Sequence, residues 1–433
     1  VNNTSQIDNY LKKIFPITRS LTGKGNRETL KILQEIIPLS IIEYPTGQAV
    51  YDWIIPKEWK IKDAWIKDSS GKKIIDFKNS NLHVVSYSIP IHQTLSFAEL
   101  EPHLHYREDI PDAIPYRTSY YKDNWGFCLS FKQFKSFFDS DDNYEVMIDS
   151  DFIEGSLSIG ELVIEGKSKT EYLLSTYICH PSLANDNLSG IVTTAFIAKE
   201  LLSIQDQLEY SYRIVFAPET IGSIAYCANN ELHMKRIKAG LVLTTCGGPG
   251  SFGYKQSWDI NHEINAMIED VFNDNQINYK AYPFDIRGSD ERQYSSPGFR
   301  INCVTLTKSK YYEYPFYHTS LDNLDFVTAS QIQESLDLYL QLIGKMDKNL
   351  VYQNSVPNCE VMLSKHGLYP ETGGAFKPDS NLSVSDILLW ILFYCDGKMS
   401  LYEISKRLKI SLDVVFKEAK KLERKQILVV KRD

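Results

Sequence analysis

The stretch that decides the fold is Tyr172-Leu173-Leu174-Ser175-Thr176-Tyr177-Ile178, followed at once by Cys179-His180-Pro181-Ser182 and then Ala184-Asn185-Asp186-Asn187-Leu188-Ser189-Gly190. A short continuous apolar run suits a strand covered on both faces, as in the centre of a parallel sheet. The polar loop behind it leads into an apolar stretch of helical length, Ser189–Leu202. This unit of strand, loop and helix recurs. Further apolar runs stand at Arg213–Ala217, Ala239–Thr245 and Ile301–Leu306, with helix candidates at Asn261–Asn273 and Ser330–Met346. Alternation of this kind over residues 160–350 predicts an α/β fold, a mainly parallel sheet with helices on both faces. Ligands in such sheets bind beyond the carboxyl ends of the strands, so chemistry is expected just after each run.

On either side the texture changes. Upstream, a helical stretch at Arg27–Ile37 follows the turn-rich Thr22-Gly23-Lys24-Gly25. Residues 50–145 are rich in Trp, Tyr, Pro and Asp, with short β-like runs such as Leu82–Tyr87, and read as a β-rich insertion. Downstream of the Gly/Pro-rich Tyr369-Pro370-Glu371-Thr372-Gly373-Gly374 come three short helices. They are announced by Ser383 with Asp386, by Ser400 with Glu403, and by Ser411 ahead of an apolar face, and Ile427–Val430 adds a closing strand. That order predicts a winged helix. The expected layout is a core of 1–49 plus 146–352, an insertion over 50–145 and a winged helix over 353–433.

The composition excludes several classes. The 433 residues are 43% hydrophobic and 24% charged, which suits a packed core and excludes collagen-like, disulfide-scaffold and wholly disordered chains. The longest apolar run, Ile387–Cys395, is about half of what spans a bilayer, so no membrane span is expected. Seven scattered cysteines and a polar start without a signal-peptide pattern lead to the expectation of a reduced, cytoplasmic protein. Net charge is −8, which argues against a nucleic-acid coat. From Lys398 onward, however, 11 Lys/Arg stand against 5 Asp/Glu. If any part of the chain contacts nucleic acid, it is this basic tail, through Lys417, Lys420, Lys421, Arg424 and Lys425. The same lysines equally suit a solvated helix face.

Polar clusters do follow the strand runs. The first is His180 with Asp186, residue types that suit zinc. The second is Pro218-Glu219-Thr220-Ile221-Gly222-Ser223, where Glu219 is a candidate general base. The third is Arg287-Gly288-Ser289-Asp290-Glu291-Arg292, and the fourth Tyr317-His318-Thr319-Ser320-Leu321-Asp322. Taken singly, Asp186 reads as a helix cap and His180 as a loop residue. Four such clusters in order, on loops that one sheet brings together, argue for a site.

That order of His, Asp-Asn-x-Ser-Gly, Glu-x-x-Gly-Ser, Ser-Asp and Tyr-His-Thr-x-x-Asp resembles the co-catalytic zinc aminopeptidases of the bacterial leucine-aminopeptidase type over residues 160–350. The wider layout is similar to a bacterial group of aminopeptidase-like proteins with an inserted domain and a C-terminal winged helix, often linked to surface-polysaccharide genes. Phe15-Pro16-Ile17-Thr18-Arg19-Ser20-Leu21-Thr22-Gly23 and Gly288–Tyr294 extend the likeness to nearly the whole chain. The resemblance implies a zinc hydrolase acting on a small peptide or amide. It makes Asp186 the bridging carboxylate, His180 and Asp290 its partners in one zinc site, His318 a ligand of a second, and Glu219 the base.

Two departures alter that picture. Thr220 stands where those enzymes place an acidic ligand, leaving the second site only Asp186 and His318. Ser182 stands where an Asp would orient the imidazole, and His180 precedes Asp186 by fewer residues than expected. One zinc at His180, Asp186 and Asp290 is therefore the expectation, with Glu291 a candidate to complete a second. Two alternatives stay open: a silent binding or regulatory protein on a peptidase fold, and an amidohydrolase acting on a sugar derivative; assembly into a homo-oligomer is compatible with any of these readings. Among other features, His103-Leu104-His105 could set two imidazoles on one strand face. Arg287 could bind a substrate carboxylate or pair with Asp290. Tyr254-Lys255-Gln256-Ser257 could form a substrate loop, and Cys179 reads better beside a metal than as a nucleophile. The Gly247-Gly248-Pro249-Gly250 run fits no phosphate loop.

Overall fold

The computed structural model describes residues 2–369 and 382–431. Its centre is an eight-stranded sheet in the order Ser40–Pro45, Ser156–Ile164, Ser211–Ala217, Glu171–Tyr177, Ile237–Leu243, Cys303–Lys308, Phe252–Lys255, Tyr279–Tyr282. The four strands read from the sequence run parallel to their neighbours at its centre. Antiparallel strands enter only towards the edges. The continuous apolar runs have the expected cause. Leu174, Ile214 and Leu241 face one core with Ile7, Phe196 and Ile332 of the helices Thr4–Ile14, Gly190–Ser203 and Ala329–Lys348. Leu173, Val215 and Val242 face a second core, with Ile221 and Ala225 of the helix Ile221–Asn229 and with the inserted segment. Both faces of every central strand are therefore dry.

The insertion is β-rich as expected and reaches further along the chain. Its four antiparallel strands are ordered Lys73–Asp76, Glu58–Lys67, Asn143–Ile153, Ile91–Ser96. The Asn143–Ile153 strand alternates, burying Tyr144, Val146, Ile148 and Ser150. Its pairing continues eight residues past 145, so the passage back to the main sheet falls near Glu154.

The three helices of the winged unit are Val384–Tyr394, Leu401–Leu408 and Leu412–Arg424. The Ser383/Asp386 and Ser400/Glu403 capping boxes are formed, and Ser411 accepts from the Val414 amide. A small sheet, Asp396–Ser400, Val351–Asn354 and Leu428–Val430, completes the wing. The unit does not stand apart. Leu388, Ile391, Ile404, Val415 and Leu422 belong to the same core cluster as Leu336 and Met346. Tyr402 and Lys406 hold Asp270, and Lys420 pairs with Glu209 at 2.7 Å. Lys421 is taken by Glu418. Two of the five basic side chains assigned to the third helix's polar face are thus engaged in ion pairs. The Gly/Pro-rich connection lies, after Tyr369, outside the described residues. Among them no helix is long and apolar enough to cross a membrane.

Candidate metal centre

Strand register assembles the site. Tyr177 lies opposite Ala217, and the Ile178 amide bonds to the Ala217 carbonyl at 3.0 Å. The loops leaving these two strands are consequently side by side, and the Glu219 amide donates to Cys179 Sγ at 3.3 Å. Tyr177 closes the floor from within its own strand. Its hydroxyl donates to Asp186 Oδ1 and lies 2.7 Å from Thr244 Oγ1, at the end of the next strand.

The His318 loop is locked to the Asp186 loop by one residue. Asp322 accepts the Asn185 amide at 2.6 Å, the Asp186 amide at 3.0 Å and the Tyr314 hydroxyl at 2.8 Å. Burial pushes the Asp322 carboxyl up to about 7. The inserted segment grips the same loop from outside. The Tyr116 amide donates to the His318 carbonyl at 2.8 Å, Ser320 donates to the Ile114 carbonyl at 2.8 Å, and Pro115 bridges Thr319. The Tyr116 ring lies 5.2 Å from both the His180 and the His318 rings.

The result is a convergence of His180, Asp186 and His318, whose ligand atoms lie within 4.8 Å of one another; among the described residues no other group of this kind forms. Asp186 Oδ2 and His318 Nε2 are 3.0 Å apart, yet each is buried without a hydrogen-bond partner. Two orphaned donor atoms aimed at one point are what a cation site looks like in outline. Burial pushes the Asp186 carboxyl up, but the two imidazoles and Tyr177 outweigh it and hold it at about 2. Burial lowers the His180 imidazole to about 4, against the pull of Asp186. Both are thus in the forms that ligate metal, carboxylate and neutral imidazole. His180 is further fixed by Cys179 Sγ, 3.3 Å from Nδ1, and by Arg19, whose Nε donates to the His180 carbonyl at 2.9 Å. Ser182 turns away to donate to the Phe15 carbonyl.

Glu219 stands half-buried at the mouth of its strand. Burial, then the nearby Asp290 and Asp186 charges, push its carboxyl well above the usual range. Asp290 lies outside the three-residue group. Its Oδ1 accepts the Thr220 amide at 2.8 Å and Ser223 Oγ at 2.9 Å, while Oδ2 is buried without a partner. Burial raises it to about 6.

Glu291 does not offer itself to a second ion: Lys255 Nζ takes one oxygen at 2.9 Å, and the Ser289 amide and Thr305 hydroxyl take the other. Arg287 is exposed and forms no ion pair with Asp290 among the described residues. Tyr254 is not part of a substrate loop; it is fully buried in a strand with its hydroxyl on Glu269. His103 stacks on Trp125 at 3.7 Å and bonds to its carbonyl. Burial, reinforced by Glu219, raises the Cys179 thiol well above the ordinary range, which removes its nucleophilic form. Sequence reasoning missed Tyr116 and Tyr177. Tyr177 stood inside an apolar run, and nothing linear ties Tyr116 to His318.

A family model described as a domain of unknown function, DUF4910, matches residues 8–349, and a winged helix-turn-helix model matches residues 350–430. The chain belongs to that DUF4910 family, and its core has the fold of the zinc aminopeptidases. A relative from Clostridium acetobutylicum is 43% identical over 420 residues, 95% of each chain; its provisional name is a polysaccharide biosynthesis protein with an aminopeptidase-like domain. A crystal structure described as a provisional peptidase from the same organism is 41% identical, with a TM-score of 0.86 over 99% of this chain and 97% of that one. BSAP, a zinc aminopeptidase from Bacillus subtilis, shares the fold at 12% identity, with a TM-score of 0.58 over 80% of this chain and 94% of its own.

Proposed function

We propose that the protein is a zinc-dependent hydrolase of small peptides or related amides, with the metal on His180, Asp186 and His318 and with Glu219 as general base. The observation that carries this reading is the convergence of the three ligand atoms beside a carboxylate of raised proton affinity. Two imidazoles and one carboxylate fit zinc, and catalytic zinc sites keep three protein ligands and an open position. When bound, zinc supplies Lewis acidity, polarising an amide carbonyl and making an attacking water more acidic.

The chain's own groups do the rest. Tyr177 holds the Asp186 carboxylate in place through its hydroxyl. Glu219 takes one proton from the attacking water as the C–O bond forms, and gives it to the nitrogen as the C–N bond breaks. Its raised proton affinity makes it able to carry that proton between the two steps. Tyr116 and Tyr317 each pack on the His318 ring and would shield a bound ion on that side. That shielding strengthens the charge interactions there.

The Glu219→Gln variant, in full-length protein purified without chelator, tests this reading. Hydrolysis of a panel of aminoacyl and amino-sugar amides is expected to fall at least a hundredfold with zinc content unchanged. Wild-type protein that carries no zinc sinks the proposal. A second reading, cleavage of an amide on a sugar derivative, draws on the printed name of the Clostridium relative. It uses the same residues, and the amino-sugar arm of the panel decides it. Zinc at full occupancy with no turnover of any substrate would favour the silent, regulatory protein instead. Six buried cysteines, none in a disulfide among the described residues, fit a reducing compartment.

A further inference from the structure

A second site of different character lies at the opposite end of the sheet. The central strands begin at Glu171, Ser211 and Ile237, and the metal ligands follow their far ends. Beneath the starting ends, between them and the winged helix, is a cleft of about 680 Å³ lined by Lys169, Lys235, Arg236, Lys238, Lys398 and Lys431. Space of this size accommodates a small organic ligand. Four of these cations come from the α/β body and two from the winged unit.

The balance of charge there is lopsided. The lining holds one carboxylate, Glu209, which Lys167 and Lys420 already hold at 3.0 and 2.7 Å. Lys235 pairs with Glu231, Lys238 bonds to the Tyr210 hydroxyl and the Asn349 carbonyl, and Lys431 bonds to the Gly397 carbonyl. Lys169, Arg236 and Lys398 are exposed to the cleft and form no ion pair among the described residues. Meanwhile Glu209 Oε2 is buried without a hydrogen-bond partner, on a side chain 3% exposed. Unmatched cations and one orphaned acceptor in the same lining ask for a ligand with both an anion and a hydroxyl donor.

We propose that this cleft binds a small phosphate ester bearing free hydroxyl groups, a sugar phosphate or a nucleotide, which bridges the catalytic body and the winged helix. The phosphate is held by Lys169, Arg236 and Lys398, where the guanidinium can take two oxygens at once. A hydroxyl donates to Glu209 Oε2. A nucleic-acid duplex is the less suitable occupant. The cations line a cleft between two units rather than one helix face, and Lys420 and Lys421 of the third helix are engaged in ion pairs.

Isothermal titration of the full-length chain with glucose 1-phosphate, ADP, inorganic phosphate and a short DNA duplex tests the proposal. At least one ester is expected to bind saturably and more tightly than inorganic phosphate. The Lys169→Glu and Arg236→Glu variants should each weaken it roughly tenfold or more, with zinc content unchanged. Lys398→Gln, at an exposed position of the Asp396–Ser400 strand, provides the same reading should either reversal disturb folding, which circular dichroism reports. No ester binding, ester affinity untouched by these variants, or binding of the duplex alone would each overturn the proposal. Inorganic phosphate as tight as the esters would overturn the role given to Glu209. These readouts do not depend on turnover, so failure here is distinguishable from failure of the hydrolase reading.

Discussion

Removing His318 should strip the protein of its metal, whereas neutralising Asp290 should not. The His318→Ala variant leaves His180 and Asp186 as the only ligands of a group whose donor atoms lie within 4.8 Å. Four-ligand protein sites bind zinc by roughly 10–16 kcal/mol, or about 3 kcal/mol per ligand. One ligand is therefore worth roughly two orders of magnitude in Kd. His180→Ala should cost a similar amount. Asp290→Asn keeps an acceptor for the Thr220 amide and Ser223 Oγ, which hold that side chain at 2.8 and 2.9 Å. It should weaken zinc by less than about tenfold, the lower end of what an outer partner of a ligand contributes. Competition titration against a chromogenic chelator measures all three variants, with thermal denaturation as the check on folding. The reasoning is refuted if Asp290→Asn releases zinc as readily as His180→Ala while His318→Ala retains it. That outcome would move the ion to the His180, Asp186 and Asp290 side.

Tyr116→Phe should leave zinc affinity within about threefold, because only the 3.1 Å contact to the Tyr120 hydroxyl is lost, whereas Tyr116→Ala removes the wall shared by both imidazoles and should lower it by about 10–100-fold; the same chelator titration reads both. The Arg27–Glu58 pair should give stability a pH dependence. Burial raises the Glu58 carboxyl, but the Arg27 bonds at 2.6 and 3.0 Å outweigh it and the net shift is downward. A depressed carboxylate stabilises the fold above its unfolded value of about 4.3 and loses that contribution as pH falls through the folded value. Arg27→Met should therefore cost about 2–3 kcal/mol at pH 7 and progressively less below about pH 4, read by urea unfolding at both pH values; a pH-independent gap would contradict the assignment. Phe196→Ala, a fully buried ring in the larger core, should cost about 3–5 kcal/mol in the same measurement.

The core was legible because its signal is redundant: Glu171–Tyr177, Ser211–Ala217, Ile237–Leu243 and Cys303–Lys308 are buried at almost every residue, and burial on both faces writes itself as an unbroken apolar run. The last two strands at one side of the sheet, Phe252–Lys255 and Tyr279–Tyr282, were not legible. They are four residues each, and Lys255 is buried there only because Asp285 and Glu291 receive its ammonium group. The glycines at 247 and 248 carried a signal of a different kind. Their amides converge on Asn185 Oδ1, and a Cβ at Gly248 would lie 2.4 Å from Ser309 Oγ, so they serve close approach of two loops rather than a ligand. At the site, ligand-type residues stood out because four such clusters follow successive strand runs in order, although each one taken singly is ordinary. What selects among them is three-dimensional. Asp322 ties the last cluster to the first, and the insertion delivers Tyr116 to the same place, neither of which has a local pattern.

The grip of residues 114–116 on Thr319 and Ser320 has a thermodynamic corollary. The loop that presents His318 is also one of the insertion's points of attachment, so an ion held on His180, Asp186 and His318 would favour the docked insertion, and by reciprocity a loosened insertion would weaken the binding of that ion. Exchange of the Tyr116 amide, which donates to the His318 carbonyl, would then report metal occupancy. Trimming the insertion would take the Tyr116 ring away from both imidazoles and should weaken zinc binding accordingly.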